Sequence, residues 1–91
     1  MKVFDKAQWH IDAGENSTEV VTKFKKVFEF LNSRNMLSVE GKEILYFGID
    51  SSVSLNERMV TKSGLIFLYE YYDKVINCNS ENIKSELEKF A

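Results

Sequence analysis

The chain has 91 residues, of which 44% are hydrophobic, 13% aromatic and 29% charged. This length allows one domain, and this composition suits a packed core that needs neither a disulfide nor a metal ion. The net charge of −2 makes a nucleic-acid partner improbable, because binding to phosphates requires a basic surface. The single Cys78 cannot form an internal disulfide, which fits a reducing compartment.

No apolar run approaches the roughly 20 residues that cross a bilayer. The first residues, Met1 to Lys6, also lack the apolar core of a signal peptide. We therefore expect a cytoplasmic protein that does not enter a membrane.

The chain contains no proline, so its helices must end at caps and glycines instead. We predict an all-α fold, a small bundle of about four helices in a single domain, preceded by an N-terminal extended arm or short strand. The arm spans residues 1–15, and the helices span residues 16–35, 38–47, 61–76 and 80–90. A polar loop that follows Asp50 is expected to include a short turn of helix.

The N-terminal arm is open to three interpretations, namely short strands, a single helical turn, or an extended segment laid over the bundle. Trp9, the only tryptophan, is expected to anchor this arm against the helices through its large apolar area. His10 is expected to hydrogen-bond a backbone carbonyl. A metal site at His10 with Asp12 and Glu15 is disfavoured because the chain lacks paired ligand spacings.

The first helix has the clearest start. Asn16 is the predicted cap, with Glu19 reaching back to it in a capping box. Apolar residues then recur at helical spacing along one stripe: Val20, Phe24, Val27 and Leu31. A lysine cluster falls largely off this stripe and is interpreted as a solvated face: Lys23, Lys25 and Lys26.

Two stretches, residues 36–50 and 59–73, share one pattern of a Met, an apolar residue, a hydroxyl, a Gly, a Leu-Tyr pair and an Asp. The hydroxyl residues Ser38 and Thr61 are predicted helix caps. Glycine in a first helical turn costs about 1 kcal/mol relative to Ala, so Gly41 and Gly64 predict that another backbone passes close by. The similarity reflects either a duplication or, as we favour, two helix starts with the same geometry.

No motif points to catalysis or to a cofactor. Cys78 has no histidine near it in sequence to act as its base, and no glycine-rich phosphate loop is present. Paired carboxylates such as Glu40 with Glu43 lie at helical spacings that normally indicate solvated faces. We therefore predict no catalytic residues, no metal ligands, no cofactor and no enzymatic activity.

The segment from Leu65 to Tyr72 is apolar around almost the whole helix, which is typical of a central helix or of one that a partner covers. Tyrosines are enriched at interfaces, and neighbouring carboxylates would favour a basic partner. The predicted partner-binding residues form an aromatic and acidic patch: Asp50, Tyr69, Glu70, Tyr71, Tyr72 and Asp73. The alternative is that Tyr69 and Tyr72 complete the core.

The leading hypothesis is a small bacterial protein-interaction module, such as an immunity- or antitoxin-type inhibitor of a basic protein. A homodimer is a further possibility, because a second copy could cover the apolar helix. The alternative function is a helix-turn-helix DNA-binding or regulatory protein, formed by the first two helices. Its recognition helix would however present Glu40 and Glu43 to phosphate.

Overall fold

The computed structural model describes residues 1–91 as five α-helices, one 3-10 turn and a two-stranded antiparallel sheet, with 60% of residues helical. The mainly helical fold is confirmed, whereas an arrangement as a four-helix bundle is not. The elements are β1 Val3–Lys6, α1 Ala7–Asp12, α2 Ser17–Ser33, α3 Val39–Phe47, β2 Ser54–Asn56, the 3-10 turn Glu57–Met59, α4 Lys62–Val75 and α5 Ile83–Glu88.

None of these helices combines the length and the apolar character needed to span a bilayer.

The N-terminal segment is a strand that leads directly into a helix. Asp5 in β1 is paired with Leu55 in β2, and an irregularity in the register lies between Val3 and Asp5. In α1 only Ala7 is buried. Trp9 is 53% exposed, so the prediction that it anchors the arm is wrong. The helix turns the indole outward, towards the Lys6 ammonium 5.9 Å from its ring.

The predicted caps are confirmed, but the capping box is not. The Asn16 side chain accepts a hydrogen bond from the Glu19 backbone nitrogen at 3.0 Å. The Glu19 carboxylate instead accepts bonds from the backbone nitrogen and hydroxyl of Ser80, at 2.7 and 2.8 Å. Glu19 thus accepts two hydrogen bonds from Ser80, in the segment before α5, and not the predicted bond from the Asn16 backbone nitrogen. The two bonds from Ser80 lower the pKa of Glu19.

The lysine cluster on α2 is not simply a solvated face. The Lys23 side chain is buried and its ammonium donates to the carbonyl oxygen of Ile76, at the end of α4. Lys26 donates to the Ser80 carbonyl at 2.9 Å, and only Lys25 is exposed. The last carbonyls of a helix lack intrahelical partners, which is the physical reason that buried ammonium groups are recruited there. Burial lowers the pKa of Lys23.

The two similar stretches, residues 36–50 (the first copy) and 59–73 (the second copy), lie against each other. Leu37 and Val60 form an isolated antiparallel bridge. The Ser38 nitrogen donates to the Met59 carbonyl at 3.0 Å, and the Thr61 nitrogen donates to the Met36 carbonyl at 2.9 Å. Because each bond has its counterpart 23 residues along the chain, the two copies are related by a local two-fold axis.

The repeated glycines lie where the copies touch. A Cβ on Gly41 would overlap the Met59 carbonyl oxygen, and one on Gly64 would lie 2.5 Å from the Met36 carbonyl oxygen. The predicted close approach of a second backbone is therefore confirmed, and each backbone belongs to the other copy. The Ser38 and Thr61 side chains cap α3 and α4 by accepting from these same glycine nitrogens.

The two copies differ in how deeply their helices are buried. In α4, Phe67, Leu68, Tyr72 and Val75 enter a core that also includes α2 and α5. In α3, only Gly41 is buried. The first copy therefore carries a helix whose apolar side chains have few partners within the chain.

Candidate interaction surface

The six predicted partner-binding residues do not form one surface. Tyr72 is 2% exposed, and its hydroxyl donates to Asp5 Oδ2 at 2.7 Å. Tyr72 therefore belongs to the core, and its inclusion in an exposed patch is corrected. The cause is β1, which brings a buried carboxylate against α4.

Tyr69 and Tyr71 point to different sides of α4. Tyr71 contacts Phe67 with ring centroids 5.1 Å apart and stacks on Phe90 of the C-terminal segment at 4.8 Å. Tyr69 is 60% exposed and meets the edge of Phe4 at 5.2 Å. Two residues along a helix correspond to a rotation of about 200°, so these two rings cannot contact one flat partner surface together.

The three predicted acids are exposed but are not clustered. Glu70 and Asp73 lie on α4, whereas Asp50 lies in the loop after α3. The Asp50 carboxylate accepts a bond from the Ser52 backbone nitrogen at 2.8 Å and another from the Ser52 hydroxyl, and these bonds lower its pKa. No ion pair joins any of these acids to a basic side chain.

A polar cluster around the buried Asp5 ties the N-terminal segment to the core. His10 Nε2 lies 2.7 Å from Asp5 Oδ2, and His10 Nδ1 lies 2.7 Å from Glu15 Oε2. The prediction that His10 bonds a backbone carbonyl is therefore wrong, because two carboxylates are within reach. Burial lowers the His10 pKa, but the bonds and charges of Asp5 and Glu15 outweigh it, so the pKa is raised overall.

This cluster is suited to holding structure together. When His10 is charged, both ring nitrogens donate to carboxylates, and neither offers a lone pair to a substrate or a metal ion. No group of three or more His, Cys, Asp or Glu side chains has the arrangement to hold a metal ion. Cys78 is half-buried.

The most unusual surface lies on α3. Of the eight large hydrophobic side chains that are exposed in the whole chain, four belong to this nine-residue helix. Tyr46 and Phe47 are each 82% exposed, Val39 is 73% exposed and Ile44 is 39% exposed. The rings of Tyr46 and Phe47 contact each other edge to face at 5.3 Å. These four side chains do not share one face, because Ile44 and Phe47 line a cavity with Met59, whereas Tyr46 lies beside Asn32 and Lys42. Single exposed apolar residues are ordinary, so Ile44 and Phe47, which lie together, are the part of α3 that indicates a binding surface.

Beside this helix runs a groove, which we call the α3–β2 groove. It separates α3 from the segment that contains β2 and the 3-10 turn. Two cavities of about 260 and 300 Å³ form this groove, and Ile44, Gly48 and Met59 line both of them. Its neutral lining residues are Ile44, Phe47, Gly48, Ser52, Val53, Ser54, Asn56 and Met59.

The charge around the groove is of one sign. Glu40, Glu43 and Asp50 line it, and no Lys, Arg or His does. Neither Glu40 nor Glu43 forms an ion pair within the chain. The groove therefore combines four apolar side chains, those of Ile44, Phe47, Val53 and Met59, with carboxylates that lack a basic partner.

Sequence reasoning missed this surface because each of its parts looked ordinary. Glu40 and Glu43 fit a solvated helix face, and Ile44 fits a core position. The signal was the Tyr46-Phe47 pair immediately before Gly48, since a helix that ends on two aromatic residues needs something to cover them.

No protein-family model, no characterised protein and no solved structure matches this chain significantly.

Proposed function

We propose that this protein is an interaction module that binds a basic protein partner through the α3–β2 groove. The observation that carries the proposal is the exposure of Ile44 and Phe47 in one groove with carboxylates that have no basic partner. Among interaction modules, we propose a cytoplasmic bacterial inhibitor of the immunity or antitoxin type, since an acidic groove would suit the block of a basic protein.

Physical reasons support a protein partner with a positive surface. Aromatic and Met side chains such as Phe47 and Met59 are enriched in the cores of protein interfaces. Carboxylates at the edge, such as Glu40 and Glu43, accelerate association with a positive surface and disfavour acidic competitors. Both features occur in one groove.

The surface first predicted on α4 is a weaker site for the same function. Tyr71 is already covered by Phe67 and Phe90, and Tyr72 is buried. Of the patch predicted on α4, Tyr69, Glu70 and Asp73 are exposed, and none of them lines a cavity.

DNA binding by a helix-turn-helix gains no support from the geometry. As recognition helix, α3 would bring Glu40 and Glu43 to the phosphates, which would repel them. We likewise propose no catalytic role, since His10 is held between two carboxylates.

The proposal can be tested by comparing capture from a lysate of the source cells by three forms of the tagged protein. These are the wild type, the groove variant Glu40→Lys/Glu43→Lys, and the control variant Glu29→Lys/Glu88→Lys. Glu29 and Glu88 are exposed and lie outside both the groove and the α4 patch, so the control changes the net charge equally.

The expected result is a protein with a basic isoelectric point that is captured by the wild type and the control, and not by the groove variant. Capture should also weaken as salt rises, because exposed charge pairs are screened. Equal loss in both variants would show a general charge effect, and unchanged capture by the groove variant would overturn the assignment.

Oligomeric state decides whether a second copy occupies the same surface. Light scattering of the purified protein should report a monomer. A stable dimer that dissociates in the groove variant would replace the partner proposal with self-association.

A further inference from the structure

The local two-fold axis relates the α3–β2 groove to a filled part of the core. With a separation of 23 residues, Ile44 corresponds to Phe67 and Gly48 corresponds to Tyr71. Upstream of the copies, Leu31-Asn32 corresponds to Leu55-Asn56, which makes Ser54 the counterpart of Phe30.

In the second copy, these positions form a continuous aromatic cluster. The Phe30 and Phe67 ring centroids are 5.6 Å apart, and those of Phe67 and Tyr71 are 5.1 Å apart. Phe90 closes the cluster by stacking on Tyr71 at 4.8 Å. Such aromatic contacts stabilise a core beyond the effect of the area that they bury.

In the first copy, the three counterparts all line the groove. Ser54, Ile44 and Gly48 replace Phe30, Phe67 and Tyr71, and each replacement is smaller. No chain segment corresponds to Phe90. The backbone differs at two of these positions, since Phe30 and Tyr71 lie in helices whereas Ser54 lies in β2 and Gly48 follows the end of α3. The groove nevertheless lies among the smaller counterparts of three aromatic side chains that contact one another in the core.

We propose that the α3–β2 groove binds an aromatic side chain of its partner, presented on a segment with lysine or arginine on both sides of that residue. The ring would lie against Ile44 and Met59, as Phe30 lies against Phe67. The flanking cations would lie near Glu40, Glu43 and Asp50. This inference rests on the proposed function and specifies which residues of the basic partner enter the groove.

Charge complementarity favours such a segment over a second copy of the chain. In a two-fold dimer that paired this groove with itself, the interface would contain Glu40 and Glu43 of both copies and no basic lining residue. Like charges brought together at an interface destabilise it. A basic segment neutralises them instead.

The experiment uses three synthetic peptides titrated into the full-length, isotope-labelled protein. One is Lys-Lys-Phe-Lys-Lys, capped at both ends, and the others replace its Phe by Ala or its four lysines by glutamates. Chemical-shift changes are measured by NMR at Ile44, Ser54 and Met59, with Ile66 on the exposed face of α4 as the reference position.

The expected result is that the Phe-lysine peptide shifts the groove signals at concentrations where the Ala peptide does not, with no change at Ile66. Equal shifts with the Ala and Phe peptides, or none with either, would overturn the aromatic assignment. The glutamate peptide tests the proposed function separately, because equal binding of that peptide would contradict a basic partner while leaving the aromatic site intact.

Discussion

Gly41 lies directly against the carbonyl oxygen of Met59, so closely that a methyl group on Gly41 would overlap that oxygen. Gly64 and Met36 repeat this relationship on the other side of the Leu37–Val60 bridge. The two copies are thus held together by reciprocal contacts between the start of each helix and the backbone that precedes the other.

The first prediction concerns these contacts. Gly41→Ala should lower the free energy of unfolding by about 2 kcal/mol, because the added methyl group forces two backbones apart. This loss should appear even though Ala is favoured over Gly in a helix by about 1 kcal/mol. The measurement is chemical denaturation, with the exposed Lys42→Ala as the control, expected within about 0.5 kcal/mol of wild type. A variant at Gly41 as stable as its control would contradict the close approach.

The second prediction separates structural from exposed aromatic residues. Tyr71→Ala should destabilise the fold by about 1 to 3 kcal/mol, since it removes the ring that links Phe67 to Phe90. Tyr46→Ala should leave thermal unfolding nearly unchanged, because Tyr46 is 82% exposed. Equal stability of the two variants would contradict the placement of Tyr71 in the aromatic cluster.

The third prediction concerns the hydrogen bond between Tyr72 and Asp5. Tyr72→Phe should cost about 1.5 to 3 kcal/mol, because a buried carboxylate loses one of its donors. Burial and the Asp5 charge raise the pKa of Tyr72 well above its usual value, so the hydroxyl remains a donor throughout the neutral range. The control is Tyr69→Phe, whose ring is 60% exposed, and urea denaturation of both variants measures the difference.

The fourth prediction concerns pH. Asp5 and Glu15 raise the His10 pKa in the folded protein, so the folded state binds its proton more tightly than the unfolded chain does. This stabilisation is complete below the unfolded pKa of about 6.5 and is lost as pH rises through the higher folded value. The free energy of unfolding should therefore decrease above about pH 6.5, and His10→Gln should flatten that decrease. An equally steep decrease in the variant would assign it to another group.

Much of the helical structure could be predicted from local chemistry. Asn16, Ser38 and Thr61 are short polar side chains that cap helices without help from distant residues, and Gly41 and Gly64 signalled a close backbone. These features depend on a few neighbouring residues, and the structure confirms them.

What could not be predicted depends on pairing across long sequence separations. The core position of Tyr72 was the alternative that the sequence offered, but its hydrogen bond joins it to Asp5, which is 67 residues away. The roles of Lys23 and Glu19 require Ile76 and Ser80, which no local pattern connects to α2. The groove depends on the small side chain of Ser54, and the significance of its size is visible only when the two copies are compared in space.

The most direct test of the account is the variant Ser54→Phe, which restores in the first copy the ring that Phe30 supplies in the second. The new ring should be buried against Ile44, which should stabilise the fold by about 1.5 to 3 kcal/mol. This gain should offset the loss of the hydrogen bond between Ser54 and Asn56. We predict a folded protein with wild-type thermal stability whose affinity for the captured basic partner falls at least about tenfold, or ~1.4 kcal/mol. A folded Ser54→Phe variant that binds this partner as tightly as wild type would contradict the assignment of the groove.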